Sequence, residues 1–179
     1  VRAGFAGPER GAPQQSLAPE DFTLLARYAR SVRSVSPEVD AYGKVRSGAA
    51  EISGTLKGVW PVYADINRLE ARRGRFLTPY DCGRSFLVLG HGAWQQLVQK
   101  GAPQPVEEVT VEGRPFRVIG VLAPAQLGYN SQMVDDSVLI PLDLAQRYAR
   151  QPGVSQATVR LWPEADHARA GAEITGLLE

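Results

Sequence analysis

Val106-Glu107-Glu108-Val109-Thr110-Val111-Glu112-Gly113-Arg114-Pro115-Phe116-Arg117-Val118-Ile119-Gly120-Val121-Leu122 alternates apolar and polar residues on both sides of Glu112-Gly113. Period-two alternation marks a strand with one buried face, and an acidic-Gly step between two such runs marks a tight turn, so the stretch predicts a β-hairpin. Val109 and Val111 share one side of its first strand; Phe116, Val118 and Leu122 share a side of the second. Just upstream, Phe86-Leu87-Val88-Leu89 is apolar throughout and lies between Gly83 and Gly90, which suits a strand buried on both faces. A helix over 92–99 follows it, with Trp94, Leu97 and Val98 on the packed side. Downstream, 124–136 reads as a polar loop carrying Tyr129 and Met133. Then come a short strand at 138–140, a helix over 141–150, a strand at 157–161 and a last helix over 164–178. That helix turns Ala170, Ile174, Leu177 and Leu178 inward, with Pro163 at its first position. Strands and helices interleave through hairpins as well as longer crossovers, which predicts an α+β fold.

Working toward the N-terminus, Thr78-Pro79-Tyr80-Asp81 carries the signature of a helix start: Thr78 as cap, Pro79 first inside, and Asp81 where a carboxylate can return a bond to the cap. Residues 61–69 read as a connector with one helical turn, and a subdomain boundary near residue 60 fits. Two alternating runs, one with Val39, Ala41 and Val45 and one near Ile52, Thr55, Leu56 and Val59, flank a turn at Ser47-Gly48. Before them a helix is predicted over 19–33, ended by Ser36-Pro37, with Pro19 first, Glu20 and Asp21 at its positive end and Leu17 stapled onto Phe22. Phe22, Leu25, Ala26, Ala29 and Val32 form its apolar face, leaving Arg27, Arg30 and Arg33 in water. Residues 1–16, rich in Gly, Pro, Gln and Arg, read as a flexible entry.

A chain of 179 residues can fold without staples. Apolar residues at 44% and charged residues at 22% are ordinary globular values, which argue against disorder. The formal net charge of +1 comes from dispersed arginines, with Lys44, Lys57 and Lys100 the only lysines. Nucleic-acid binding is disfavoured, because it calls for a clustered basic face. Cys82 is the sole cysteine, so no intrachain disulfide exists. No apolar run reaches the roughly 18 residues of a membrane span. The start at Val1 suggests an excised fragment whose flanks would carry any localisation signal.

Chemistry is sparse. His91 and His167 are far apart in sequence, no His-Glu-x-x-His or paired-cysteine motif occurs, and no phosphate loop or nucleophile elbow is present. His91 lies between two glycines and reads as a turn residue; Cys82 follows Asp81, whose charge disfavours a thiolate. Asp135-Asp136 lacks the alternating acidic series of a calcium loop. Catalytic, cofactor-binding and metal-binding residues are therefore expected to be none. Arg72, Arg73 and Arg75 form the one dense basic group, and at an anionic lipid surface each contributes about 1 kcal/mol of attraction. The alternative is a solvated turn around Gly74. Together with Tyr129 and Met133, residue types suited to adaptable contacts, these arginines are the candidate partner contacts.

Three segments stand in a fixed order: Gly74-Arg75-Phe76-Leu77-Thr78-Pro79-Tyr80-Asp81, then Gly113 to Pro124, then Asp136-Ser137-Val138-Leu139-Ile140-Pro141-Leu142. With Val35-Ser36-Pro37 after the first helix, this order resembles the extracytoplasmic core domain of the MacB-like permease family, membrane subunits of ATP-driven transporters. The resemblance covers roughly residues 17–162. It implies a two-lobed α+β module: a core lobe from 17–59 and 137–179, and a strand-rich lobe with the hairpin inserted at 60–136. It also implies an ABC transporter permease domain on the extracytoplasmic side of the cell membrane, placed between the first and second transmembrane helices. The implied role is to transmit ATP-driven conformational change and to dock a partner or cargo. Implied partners are the chain's own transmembrane helices, a cytoplasmic ATP-binding subunit, a second permease copy and an extracytoplasmic adaptor, lipoprotein or peptide. The alternatives are a secreted freestanding binding module and a hydrolase-like enzyme using His91 or Cys82.

Overall fold

The computed structural model describes residues 17–125, 131–151 and 153–178. Within them the order is α1 (Pro19–Tyr28), β1 (Val32–Ser47), β2 (Ala50–Val59), α2 (Tyr63–Asn67), β3 (Ala71–Gly74), a 3-10 turn (Pro79–Asp81), β4 (Phe86–Leu89), α3 (His91–Gln99), β5 (Glu108–Val111), β6 (Arg114–Leu122), α4 (Ser131–Asp135), β7 (Val138–Pro141), α5 (Leu142–Ala145), β8 (Gln156–Leu161) and α6 (His167–Leu178). The fold is α+β. Following the pairings, β1 joins β2, β2 joins β7, β7 joins β4, β4 joins β6, β6 joins β5, and β5 returns to β1. The ladder thus closes on itself, with β3 added to β6 and β8 added to β1.

Alternation sets the packing. Val39, Ala41 and Val45 of β1, Ile52 and Leu56 of β2, Leu87 and Leu89 of β4, Val109 and Val111 of β5 and Phe116 of β6 share one core, completed by Ala93 and Leu97 of α3 and Leu144 and Ala145 of α5. Val88, Leu139 and Leu122 point to the opposite face and pack with Tyr63, Leu77 and Val134. β4 is therefore buried on both faces, as its unbroken apolar run predicts. A register shift between Leu87 and Val88 against β6 moves Leu122 away from the Phe116 side, so the expected common face of Phe116 and Leu122 is split. A third core joins α1 and α6 to β8 and the first half of β1, through Phe22, Leu25, Val32, Val35, Ala157, Val159 and Ile174.

Several boundaries differ from expectation. The first helix ends at Tyr28 and the chain is already in β1 at Val32, because Val32 to Glu38 pair antiparallel with β8. Pro37 sits inside this strand rather than ending a helix. The last helix starts at His167, not at Pro163: the Asp166 carboxylate accepts from the N–H groups of Ala168 and Arg169 and caps it. Leu177 is 44% exposed rather than inward. The helix expected over 141–150 is confined to Leu142–Ala145. Residues 1–16 and the loop position Tyr129 lie outside the described residues. The segments expected to form two lobes contribute to one ladder, since β7 of 137–179 bonds to β4 of 60–136, and β1 of 17–59 bonds to β5.

Candidate functional site

The Gly74–Asp81 segment is built by two close backbone approaches. Gly74 has φ +70°, and a Cβ there would stand 2.1 Å from the carbonyl oxygen of Ile119; a Cβ at Gly120 would stand 2.2 Å from that of Arg75. Without side chains at these two points, β3 and β6 touch, and Arg75 N–H donates to the Ile119 carbonyl at 3.0 Å. The chain then turns so that the Arg75 guanidinium meets Asp81 with two parallel bonds of 2.6 and 2.8 Å. Asp81 Oδ2 also accepts from the Thr78 N–H (2.7 Å) and Thr78 Oγ1 (2.8 Å), the capping arrangement read from the sequence. The bond to Arg75 is the main reason the buried Asp81 carboxyl lies well below the usual carboxylate range; burial opposes it and the Thr78 bonds reinforce it. Arg75 is correspondingly raised, chiefly by its hydrogen bond to Asp81. Its cation is committed to this clamp.

The other candidate contacts diverge from Arg75. Arg73 makes an exposed pair with Glu107 at 3.9 Å, a geometry that contributes little. The Arg72 guanidinium lies 5.2 Å from the centre of the Trp94 ring, a cation–π contact, and Trp94 stands 5.7 Å from His91. Met133 is 52% exposed on α4, which packs against α3. The close approach of α3 and α4 depends on Gly90, where a Cβ would be 2.3 Å from the Asp135 carbonyl oxygen. Arg72 and Met133 therefore both sit on elements that touch α3, while the half-exposed Arg75 is paired with the buried Asp81.

The reactive candidates stand apart. His91 Nδ1 is buried and has no hydrogen-bond partner among the described residues. His167 is exposed. Cys82 is exposed, and its thiol is raised chiefly by the charge of Asp143, with burial and a hydrogen bond to the same carboxylate adding to it. The carboxylate expected to act, Asp81, is turned away to Arg75. Asp135 Oδ1 accepts from Ala125 N–H, and Asp136 Oδ1 from Gln96 Nε2 at 3.4 Å. Among the described residues no group of three or more His, Cys, Asp and Glu could hold a metal, and no helix is long and apolar enough to cross a membrane.

Sequence reading missed a buried ionic node on the β1 face opposite Val39. Lys57 Nζ donates to Glu38 Oε2 at 2.8 Å and to Asp40 Oδ1 at 2.7 Å. Glu38, 1% exposed, also accepts from Gln156 Nε2 and Thr158 Oγ1 of β8. Lys57 lies directly opposite Asp40 in the ladder, so the cross-strand charge pairing was the available signal. The node marks the point where β1 changes partner from β8 to β2.

Comparison with known proteins places this geometry. The model of the MacB-like periplasmic core domain matches residues 1–177. The macrolide export ATP-binding/permease protein MacB of Aggregatibacter actinomycetemcomitans is 32% identical over 128 residues, covering 70% of this chain and 19% of that protein. The protein of the same description from Brucella melitensis is 26% identical over 164 residues, covering 84% of this chain and 24% of that protein. The chain thus spans no more than about a quarter of the length of these relatives. Its fold matches the crystal structure of the periplasmic region of MacB from Actinobacillus actinomycetemcomitans, with TM-score 0.75, 22% identity, and coverage of 99% of this chain and 79% of that one. It also matches the extracellular domain of the ABC-type transporter YknZ from Gram-positive bacteria, with TM-score 0.73, 22% identity and coverage of 93% and 84%. The chain belongs to the family of MacB-like periplasmic core domains, extracytoplasmic domains of ABC transporter permeases.

Proposed function

We propose that this domain transmits ATP-driven movement of transmembrane helices to a partner or cargo outside the membrane, and that it performs no chemistry of its own. The observation that carries the reading is the meeting of the two ends of the fold. Leu17 and Leu178 pack on the same core, and the Glu173 carboxylate of α6 accepts from the N–H groups of Arg30 and Ser31 at 2.8 and 3.1 Å. A module set between two membrane helices needs its entry and exit side by side, so that one displacement moves both. β1 starts in that end core and runs 16 residues to the hairpin tip beside β5. It is the continuous element along which a displacement would travel. Switching of this kind requires two states that differ in partner contacts.

The division into a 17–59/137–179 lobe and a 60–136 lobe belongs to this proposal as a statement about motion. With β4 and β7 paired, relative movement would bend the ladder rather than separate its halves. The ATP-binding subunit, a second permease copy and an extracytoplasmic adaptor, lipoprotein or peptide are the partners proposed, with Arg72, Arg73, Arg75, Met133 and Tyr129 as contacts, Arg75 through the half of its side chain left exposed beside Asp81. The coding sequence on both sides tests the placement. Apolar runs of about 20 residues before Val1 and after Glu179 are expected; a cleaved signal peptide followed by soluble flanks would instead mean a freestanding secreted module.

A further inference from the structure

We propose that the cavity bounded by α1, the end of β2, the 3-10 turn and α5 binds a small amphipathic cation, an apolar body carrying a protonated amine. The cavity measures about 300 Å³, at the lower end of the range of small-molecule sites. Trp60, Leu77, Pro79 and Leu142 supply apolar wall, and the charged groups on it are Glu20 and Asp143. No Lys, Arg or His stands among the described residues that line it.

The half-buried Asp143 and the exposed Glu20, beside a largely apolar wall, give a negative site on a chain whose formal net charge is +1. Asp143 is held in position, because its Oδ2 accepts from the Gly83 N–H at 2.8 Å. Among the described residues its charge meets no cation, and the same charge raises the thiol of Cys82 on the cavity wall. Glu20, in the first turn of α1, makes no ion pair among the described residues. An amine would gain charge-assisted bonds from these carboxylates while its apolar body covers the Leu and Pro surface, and an aromatic wall such as Trp60 adds attraction for a cation. A carboxylate ligand of the same shape would be repelled. The inference goes beyond the transmission reading and does not depend on it.

The test is a titration of the isotopically labelled chain with 2-phenylethylammonium and, in parallel, 3-phenylpropionate, matched in size and opposite in charge. Amide shifts at Trp60, Gly83 and Asp143 are expected with the cation, at an affinity about tenfold or more above that of the anion. In the Glu20→Gln/Asp143→Asn variant the amide oxygen that replaces the Asp143 carboxylate still accepts from Gly83, so the spectrum should keep its native dispersion while the preference for the cation is lost. Alkylation of Cys82 by iodoacetamide should slow when the cation saturates the site. Absence of cation binding, equal binding of both probes, shifts away from the cavity, or a preference that survives both substitutions would overturn the proposal and leave the transmission reading untouched.

Discussion

Asp81 answers to three groups at once: the Arg75 fork, the Thr78 N–H and the Thr78 hydroxyl. Replacing it with alanine removes both the cap and the partner of Arg75, and should lower unfolding free energy by about 2 kcal/mol, read from urea midpoints. Arg75 is half exposed and can turn to water, which keeps the loss below that of a fully buried pair. Because the folded-state pKa of Asp81 is depressed below the ordinary carboxylate value, its contribution is complete above that value and is lost as pH falls. The midpoint gap between wild type and Asp81→Asn should therefore narrow from about pH 5 to about pH 2; a constant gap would show that the charge is not what stabilises the turn. Gly74→Ala and Gly120→Ala should each cost at least about 2 kcal/mol, since the new methyl meets backbone oxygen that cannot rotate away. The cap was legible because Thr78 and Asp81 stand at capping spacing. The Arg75 partner was not, because a pairing six residues apart depends on how the chain turns between them.

β1 shows how an element can be half read. Its second part is visible as alternation of Val39, Ala41 and Val45 beside a Ser47-Gly48 turn, and that part pairs with β2 from Glu38 to Ser47. Its first part reads as helix in the sequence, because Ala29 and Val32 continue the helical spacing of Phe22 and Leu25. Pairing with β8, more than 100 residues away in sequence, decides that segment, and local propensity carries no trace of so distant a partner. Glu38 stands where the two pairings meet. Lys57→Met should cost about 3–5 kcal/mol by leaving Glu38 buried and unpaired, while the double change Glu38→Leu/Lys57→Met should recover much of that loss, as replaced buried pairs do. Equal destabilisation by the single and double changes in chemical denaturation would mean that Glu38 matters mainly through Gln156 and Thr158.

Closure of the ladder is a property of the whole molecule that no segment announces: β5 meets β1 through only Val45–Val111 and Arg46–Thr110, and β7 meets β4 through Val88–Leu139 and Leu89–Val138. A closed ring whose strands come from all parts of the chain should unfold as one unit, with calorimetric and van't Hoff enthalpies in a ratio of about 1; two resolved transitions would assign separate stability to the proposed lobes. The same continuity is what would let a displacement at α1 and α6 reach the hairpin tip. The α+β class, the hairpin and the strand buried on both faces were legible from periodicity, whereas the ring depends on contacts distant in sequence. The most direct test of transmission is hydrogen exchange on the intact membrane protein containing this chain, with its ATP-binding subunit, in nucleotide-free and ATP-bound states. Changed protection in α1, α6, β8 and the first half of β1 on ATP binding is the predicted result; unchanged exchange throughout residues 17–178, with differences confined to the cytoplasmic side, would contradict it.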